Sequence, residues 1–133
     1  MLNITETVNN YLKAQITGLP TIYNDLFPVE LGDLIVSRHD PSQSAAREFG
    51  DGTRYVLAQF SYYARCTRAG DSREWLDKIT QELENEQLVR QADGVSFQSS
   101  VTTLPQFVEV DNKGQTIYMM SVQINYLDGQ QRP

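Results

Sequence analysis

The chain has 133 residues, 40% hydrophobic and 21% charged, with 11 Lys plus Arg against 17 Asp plus Glu and a formal net charge of -6. That is enough for one domain with its own core, and it lacks the basic surface of a protein whose task is to grip phosphate backbones. A single cysteine, Cys66, and a single histidine, His39, exclude an intramolecular disulfide, a multi-cysteine metal site and any motif built on two histidines. We read residues 1–133 as one domain with a fraying tail from about residue 128. No apolar run approaches the ~18 residues of a membrane span, and the first residues lack a secretory apolar region. The expectation is therefore no membrane association, and the lone thiol fits a reducing cytosol.

The first predicted element is a helix. Ile4, Val8, Leu12 and Ile16 recur every four residues, and Gly18 and Pro20 stop the run. A core-packing helix is preferred over a membrane-surface one, because the polar face has no excess of Lys and Arg. Two short strands follow, at Thr21–Pro28 and Asp33–Ser37. Residues 38–53 read as a long polar loop, punctuated by Pro41, Gly50 and Gly52.

A long strand is predicted from Arg54 to about Thr67. Val56, Ala58, Phe60, Tyr62, Ala64 and Cys66 alternate on one face; Tyr55, Leu57, Gln59, Ser61, Tyr63 and Arg65 take the other. The next helix carries Trp75, Leu76, Ile79 and Leu83, with Leu88 as an extension. Asp71 is the expected cap, with Glu74 completing an acidic capping box, and Glu74 and Lys78 are spaced to pair. Glu82, Glu84 and Glu86 are expected to continue it as an acidic tail. The final third reads as β: Val95–Val101, Phe107–Val110 and Tyr118–Tyr126, with Pro105 marking an edge, a bulge or a break. Residues 111–115 form a hairpin loop. The predicted fold is α+β, a mostly antiparallel sheet with two main helices on one face, in the order α-β-β-β-α-β-β-β.

Catalytic constellations are scarce. His39 and Asp40 are neighbours, which on a strand point to opposite faces, so a surface histidine is the preferred reading. Cys66 lies on the apolar face of its strand and reads as a buried, inert thiol. Asp111-Asn112-Lys113-Gly114 lacks the closing ligands of a calcium loop and reads as a hairpin turn. Gly50-Asp51-Gly52 lacks the Gly-Lys-Ser/Thr of a nucleotide loop. Glu82, Glu84 and Glu86 do not share one helical face, so a solvated acidic surface is preferred over a metal cluster. We expect no cofactor and no metal.

Four blocks occur in one order: Gly32-Asp33-Leu34-Ile35-Val36; Phe49-Gly50-Asp51-Gly52-Thr53-Arg54 leading into the long strand; the Trp75–Leu83 helix; and Pro105-Gln106-Phe107-Val108-Glu109-Val110-Asp111-Asn112-Lys113-Gly114 followed by Tyr118. Together they resemble the phage minor capsid proteins related to tail terminators, from the head–tail module of long-tailed phages. The resemblance covers roughly residues 32–127. It implies a non-enzymatic virion protein that forms a homo-oligomeric ring, a hexamer. That ring would end the tail tube, meet a tail-tube protein and a head-completion or connector protein, and leave a channel for transient, non-specific DNA passage. Such a subunit belongs to the head–tail region of the virion, and to the host cytoplasm during assembly. The polar loop at 38–53 is longer than a minimal member needs.

On this reading Arg38, His39, Arg47, Phe49, Tyr55, Tyr63 and Arg65 are candidates for the oligomer or partner interface. Glu82, Glu84, Glu86 and Asp111 are candidates for an acidic lumen. The rival readings are a small α+β ligand-binding domain with Arg38 and His39 at a pocket, and a weak enzyme using His39 and Asp40.

Overall fold

The computed structural model describes residues 4–24, 34–39, 45–48 and 54–128. In chain order these form α1 (Ile4–Gln15), β1 (Ile22–Asn24), β2 (Leu34–His39), β3 (Ala45–Glu48), β4 (Arg54–Cys66), α2 (Ala69–Leu83), β5 (Arg90–Ala92), β6 (Val95–Val110) and β7 (Thr116–Asp128). The fold is α+β. The order is α-β-β-β-β-α-β-β-β, one strand more than expected, because β3 falls inside the stretch read as a loop. The expected fraying beyond residue 128, and the predicted strand beyond Asn24 to Pro28, lie outside the described residues.

The strands form one sheet in the order β1-β2-β4-β7-β6-β5, with β3 also paired to β4. The sheet is mixed, not the mostly antiparallel one expected. β1 runs parallel to β2, with Ile22 opposite Ile35, and the remaining pairings are antiparallel. Alternation in sequence assigns a face to each residue but no direction to a strand, and β1 has only three residues to declare one.

One sheet face carries both helices. Val56, Ala58, Phe60, Tyr62 and Ala64 of β4 join Met120, Val122, Ile124 and Tyr126 of β7 and Phe97 of β6. Ile4, Val8 and Leu12 of α1 and Leu76, Ile79 and Leu83 of α2 complete the core. The α1 sequence ITETVNNYLKAQ is poor in strong helix formers, each weak one costing ~0.4–0.7 kcal/mol relative to Ala. Burying its three aliphatic side chains returns about 1.5–3 kcal/mol each, so packing and not propensity makes this helix. Beneath α1, the buried Tyr62 hydroxyl donates to Asn9 Oδ1 at 3.0 Å, and Asn9 Nδ2 donates to Ser37 Oγ at 3.1 Å. Burial holds the Tyr62 phenol well above its ordinary pKa.

Helix α2 begins at Ala69, two residues before the expected cap. Its N-cap is Arg68, in extended conformation with no side-chain cap bond, and Asp71 sits in the first turn. The free N-terminal amides are served differently: Ser72 N–H donates to Cys66 Sγ at 3.2 Å, and the Cys66 thiol donates to Arg68 O. Cys66 is thus buried, as its strand position implies, and it anchors the helix start. The Glu74–Lys78 pair forms at 3.7 Å on the surface, where such pairs contribute little.

The helix ends at Leu83, so Glu84 is its C-cap and Glu86 and Leu88 lie beyond it. Arg90 closes this end. Its Nε and one terminal nitrogen donate to Glu82 O at 3.0 and 2.6 Å, while the other reaches Asn85 O, Leu88 O and Ser99 Oγ. Ser99 Oγ in turn donates to Leu83 O at 2.8 Å. A buried guanidinium therefore satisfies the orphan carbonyls at the negative end of the helix dipole.

β5 and β6 are joined by Asp93 and Gly94, at φ 53° and 78°. These two left-handed residues form a tight hairpin turn of the kind that Asp-Gly favours. β6 is continuous through Pro105, with register shifts between Val101 and Thr103, Thr103 and Gln106, and Phe107 and Glu109. The proline thus sits in a bulged stretch of one strand, and the two predicted runs 95–101 and 107–110 are halves of it.

Candidate assembly surface

The distal half of β6 is bare. β5 covers its outer edge only along Val95–Phe97, and from Gln98 to Val110 no strand among the described residues pairs with that edge. Leu104 is 67% exposed, Phe107 55% and Val110 54%, and Val108 is also exposed. Register places Phe107 opposite Tyr118 and Val110 opposite Thr116, on the sheet face that carries the helices. The rings of Phe107 and Tyr118 meet edge-on at 5.8 Å, so one side of Phe107 is packed and the other is open. Leu104 and Pro105 form one wall of a shallow groove; Arg73, Asp77 and Gln81 of α2, with Glu84 at its C-cap, form the other.

Leu88 and Val89, in the connection from α2 to β5, are exposed as well. They lead into Arg90, which is opposite Phe97, and Gln98 Nε2 donates to Glu86 O, so this connection borders the same edge. Six of the seven large hydrophobic side chains exposed among the described residues lie along this side of the molecule. The seventh, Tyr23, is on β1, the strand at the other end of the sheet. An edge this apolar, with Glu109 the only charge on β6, lacks the lysines that commonly protect open strands.

The expected interface residues are spread over the opposite half of the sheet. Arg38 is exposed on β2 and stands opposite Ser61. His39 ends β2 opposite Phe60; Arg47 in β3 is opposite Tyr55 in β4. Tyr63 is half-buried on the helix-free face. Arg65 is buried, which corrects its expected place on a contact surface: it stands opposite Leu34, itself buried, so this part of the helix-free face is covered. Phe49 and Asp40 lie outside the described residues.

The four acidic residues do not form one surface. Glu82 is half-buried, and its Oε1 accepts the Tyr11 hydroxyl at 3.0 Å. Burial, and then Glu82, raise the Tyr11 pKa. Asp111 is engaged in its own turn, where Oδ1 accepts Lys113 N–H and Gln115 N–H, both at 2.9 Å, and Gly114 takes φ 83°. The Gln115 amide first, then the Lys113 amide and the nearby Arg65 and Lys113 charges, lower the Asp111 carboxyl below its usual value. Only Glu84 and Glu86 of the set stand exposed. The helix ends between Glu82 and Glu84, so Glu86 lies beyond it in the connection to β5.

The apolar edge was the residue set missed by sequence reasoning. Its signal was present in Leu104, Phe107, Val108 and Val110 around Pro105, a β run with apolar residues at adjacent positions and no charge before Glu109. No protein-family model and no curated protein matches this chain.

Proposed function

We propose that this protein is a structural virion subunit of the tail-terminator type, acting by assembly and not by catalysis. Copies of it form a ring, a hexamer, that ends the tail tube, joins it to the head connector and leaves a passage for DNA. The observation that carries the reading is the apolar open edge of β6, a surface too hydrophobic and too poorly defended to suit a lone molecule in water. The four ordered sequence blocks add the kind of assembly. A net charge of -6 keeps unassembled copies apart and soluble.

The test is sedimentation velocity over a concentration series, with and without purified tail tubes, followed by negative-stain electron microscopy. Concentration-dependent oligomers that image as rings, or rings seated on tube ends, are expected. A protein that stays monomeric at every concentration and leaves tube ends bare overturns the reading.

A further inference from the structure

The exposed apolar side chains along β6 fall at its two ends and its middle. Leu88 and Val89 stand beside the proximal end, where Gln98 Nε2 donates to Glu86 O. Phe107, Val108 and Val110 stand at the distal end, and Leu104 lies midway between Gln98 and Val110. Charge follows the same axis. α2 runs antiparallel to β6: its first turn is tied to Cys66, which is level with Thr116 and Val110, and its last carbonyl is bonded by Ser99. Along the groove beside Leu104 and Pro105, Arg73 is therefore distal and Glu84 proximal. In the connections that flank β6, Lys113 is exposed at the distal end, and Glu86 and Asp93 at the proximal end. Glu109, the charge on β6 itself, stands opposite Ile117 and Arg65, on the sheet face away from α2.

We propose that the β6 edge of the free protein is covered by the β6 edge of a second copy, antiparallel to it, about a two-fold axis beside Leu104. A half-turn about that point lays Phe107, Val108 and Val110 of each copy toward Leu88 and Val89 of the other, and brings the two Leu104 side chains together. It also turns the cationic end of each edge, Arg73 and Lys113, toward the acidic end of the other, Glu84, Glu86 and Asp93. A patch that complements itself under a half-turn is what a two-fold contact requires. Arg73 already lies 3.8 Å from Asp77 of its own helix, at the surface, and a guanidinium has donors enough for a second carboxylate. This inference rests on the reading of the β6 edge as an assembly surface. It adds the form taken before any ring is built: a closed pair in which each copy hides the other's edge.

Cross-linking tests the axis, because a residue reaches its own copy only beside a two-fold. Leu104→Cys places two thiols together, while the native Cys66 is buried, so mild oxidation is expected to give a covalent dimer. Asn112→Cys, at the exposed tip of the distal hairpin, is expected to stay a single chain under the same conditions. Sedimentation equilibrium tests the charges. Arg73→Glu and Glu84→Arg are each expected to weaken the dimer about tenfold, by setting like charges together. An equimolar mixture of the two restores it, since each mixed pair carries two opposite-charge contacts. The cross-link needs neither charge variant, so one that fails to fold leaves the axis test intact. The inference falls if Leu104→Cys cross-links no faster than Asn112→Cys, if neither reversal weakens the pair, or if the parent is monomeric at every concentration. Tail-tube ends decide the ring reading separately. Rings on tubes from a monomeric free protein sink the pair and leave the ring; dimers that never occupy tube ends do the reverse.

Discussion

The two halves of β6 form a natural experiment. Both pair with β7, and both present apolar side chains to the same face of the sheet. Phe97, in the first half, is buried against Tyr11, with ring centroids 5.6 Å apart, and stands opposite Tyr126. Phe107, ten residues on, touches Tyr118 on one side and is otherwise open. The difference lies in what covers the strand. Tyr11 of α1 lies against Phe97, whereas α2 faces the second half across the groove between Arg73, Asp77 and Gln81 and the pair Leu104 and Pro105. Alternation along a strand therefore tells which face a residue takes, and what packs against that face decides whether it becomes core or contact surface.

Truncating the two phenylalanines breaks this comparison most sharply. Phe97→Ala should cost about 3–5 kcal/mol in urea unfolding, the range for emptying a buried aromatic site. Phe107→Ala should cost about 1 kcal/mol, because it forfeits one edge-on ring contact and little burial. Equal losses would mean that the distal half is as well covered as the proximal one. Next comes the cap that closes α2 over the first half. Arg90→Ala leaves the last carbonyls of α2 without their charged donor and should cost about 3 kcal/mol, a loss that Arg90→Lys only partly restores. Amide exchange should then rise at the end of α2 and in β5, ahead of β4 and β7.

A smaller effect than the loss of Phe97 or Arg90 concerns the core beneath α1. Tyr62→Phe removes the hydroxyl bonded to Asn9 and should cost about 1–2 kcal/mol near neutral pH. Its pH dependence has a definite sign. The folded pKa lies above the unfolded value near 10, so the phenol's contribution is complete below that pH. It declines as pH rises from there toward the folded value, since only the unfolded chain can release the proton. The parent should lose stability steeply in alkali, and Tyr62→Phe should flatten that limb. Matching limbs in titrated chemical unfolding would show that Tyr62 does not govern the alkaline transition.

The legible parts of the fold are those with long, regular patterns. The stripe Ile4, Val8, Leu12 located α1, and the alternation from Val56 to Cys66 located β4 with the correct face inward. Cys66 was legible as a buried thiol for the same reason. β1 falls inside the strand read at Thr21–Pro28, though its direction was not legible, and β5 was missed because three residues are too short to show a period. Asp93-Gly94 was the one local sign of the β5–β6 turn, and it reads as a helix exit until the paired strand is known. The start of α2 escaped because its first amides are served by a sulfur six residues before Ser72, in place of a side chain at the cap. As for the candidate surface, its exposure depends on the groove that separates Leu104 and Pro105 from Arg73, Asp77 and Gln81 of α2, a tertiary feature that the β6 sequence does not reveal.

Pro105 has one more consequence. A long, nearly uncharged strand edge invites any extended chain in the cell to pair with it, including the unfolded form of its own sequence, and such pairing has no built-in end. A proline in the middle of that strand, flanked by offsets in register, interrupts the regular ladder that open-ended growth requires. The same residue that makes the strand irregular works as a brake on amyloid-like stacking. Replacing it would be expected to make the protein stickier before it made it less stable.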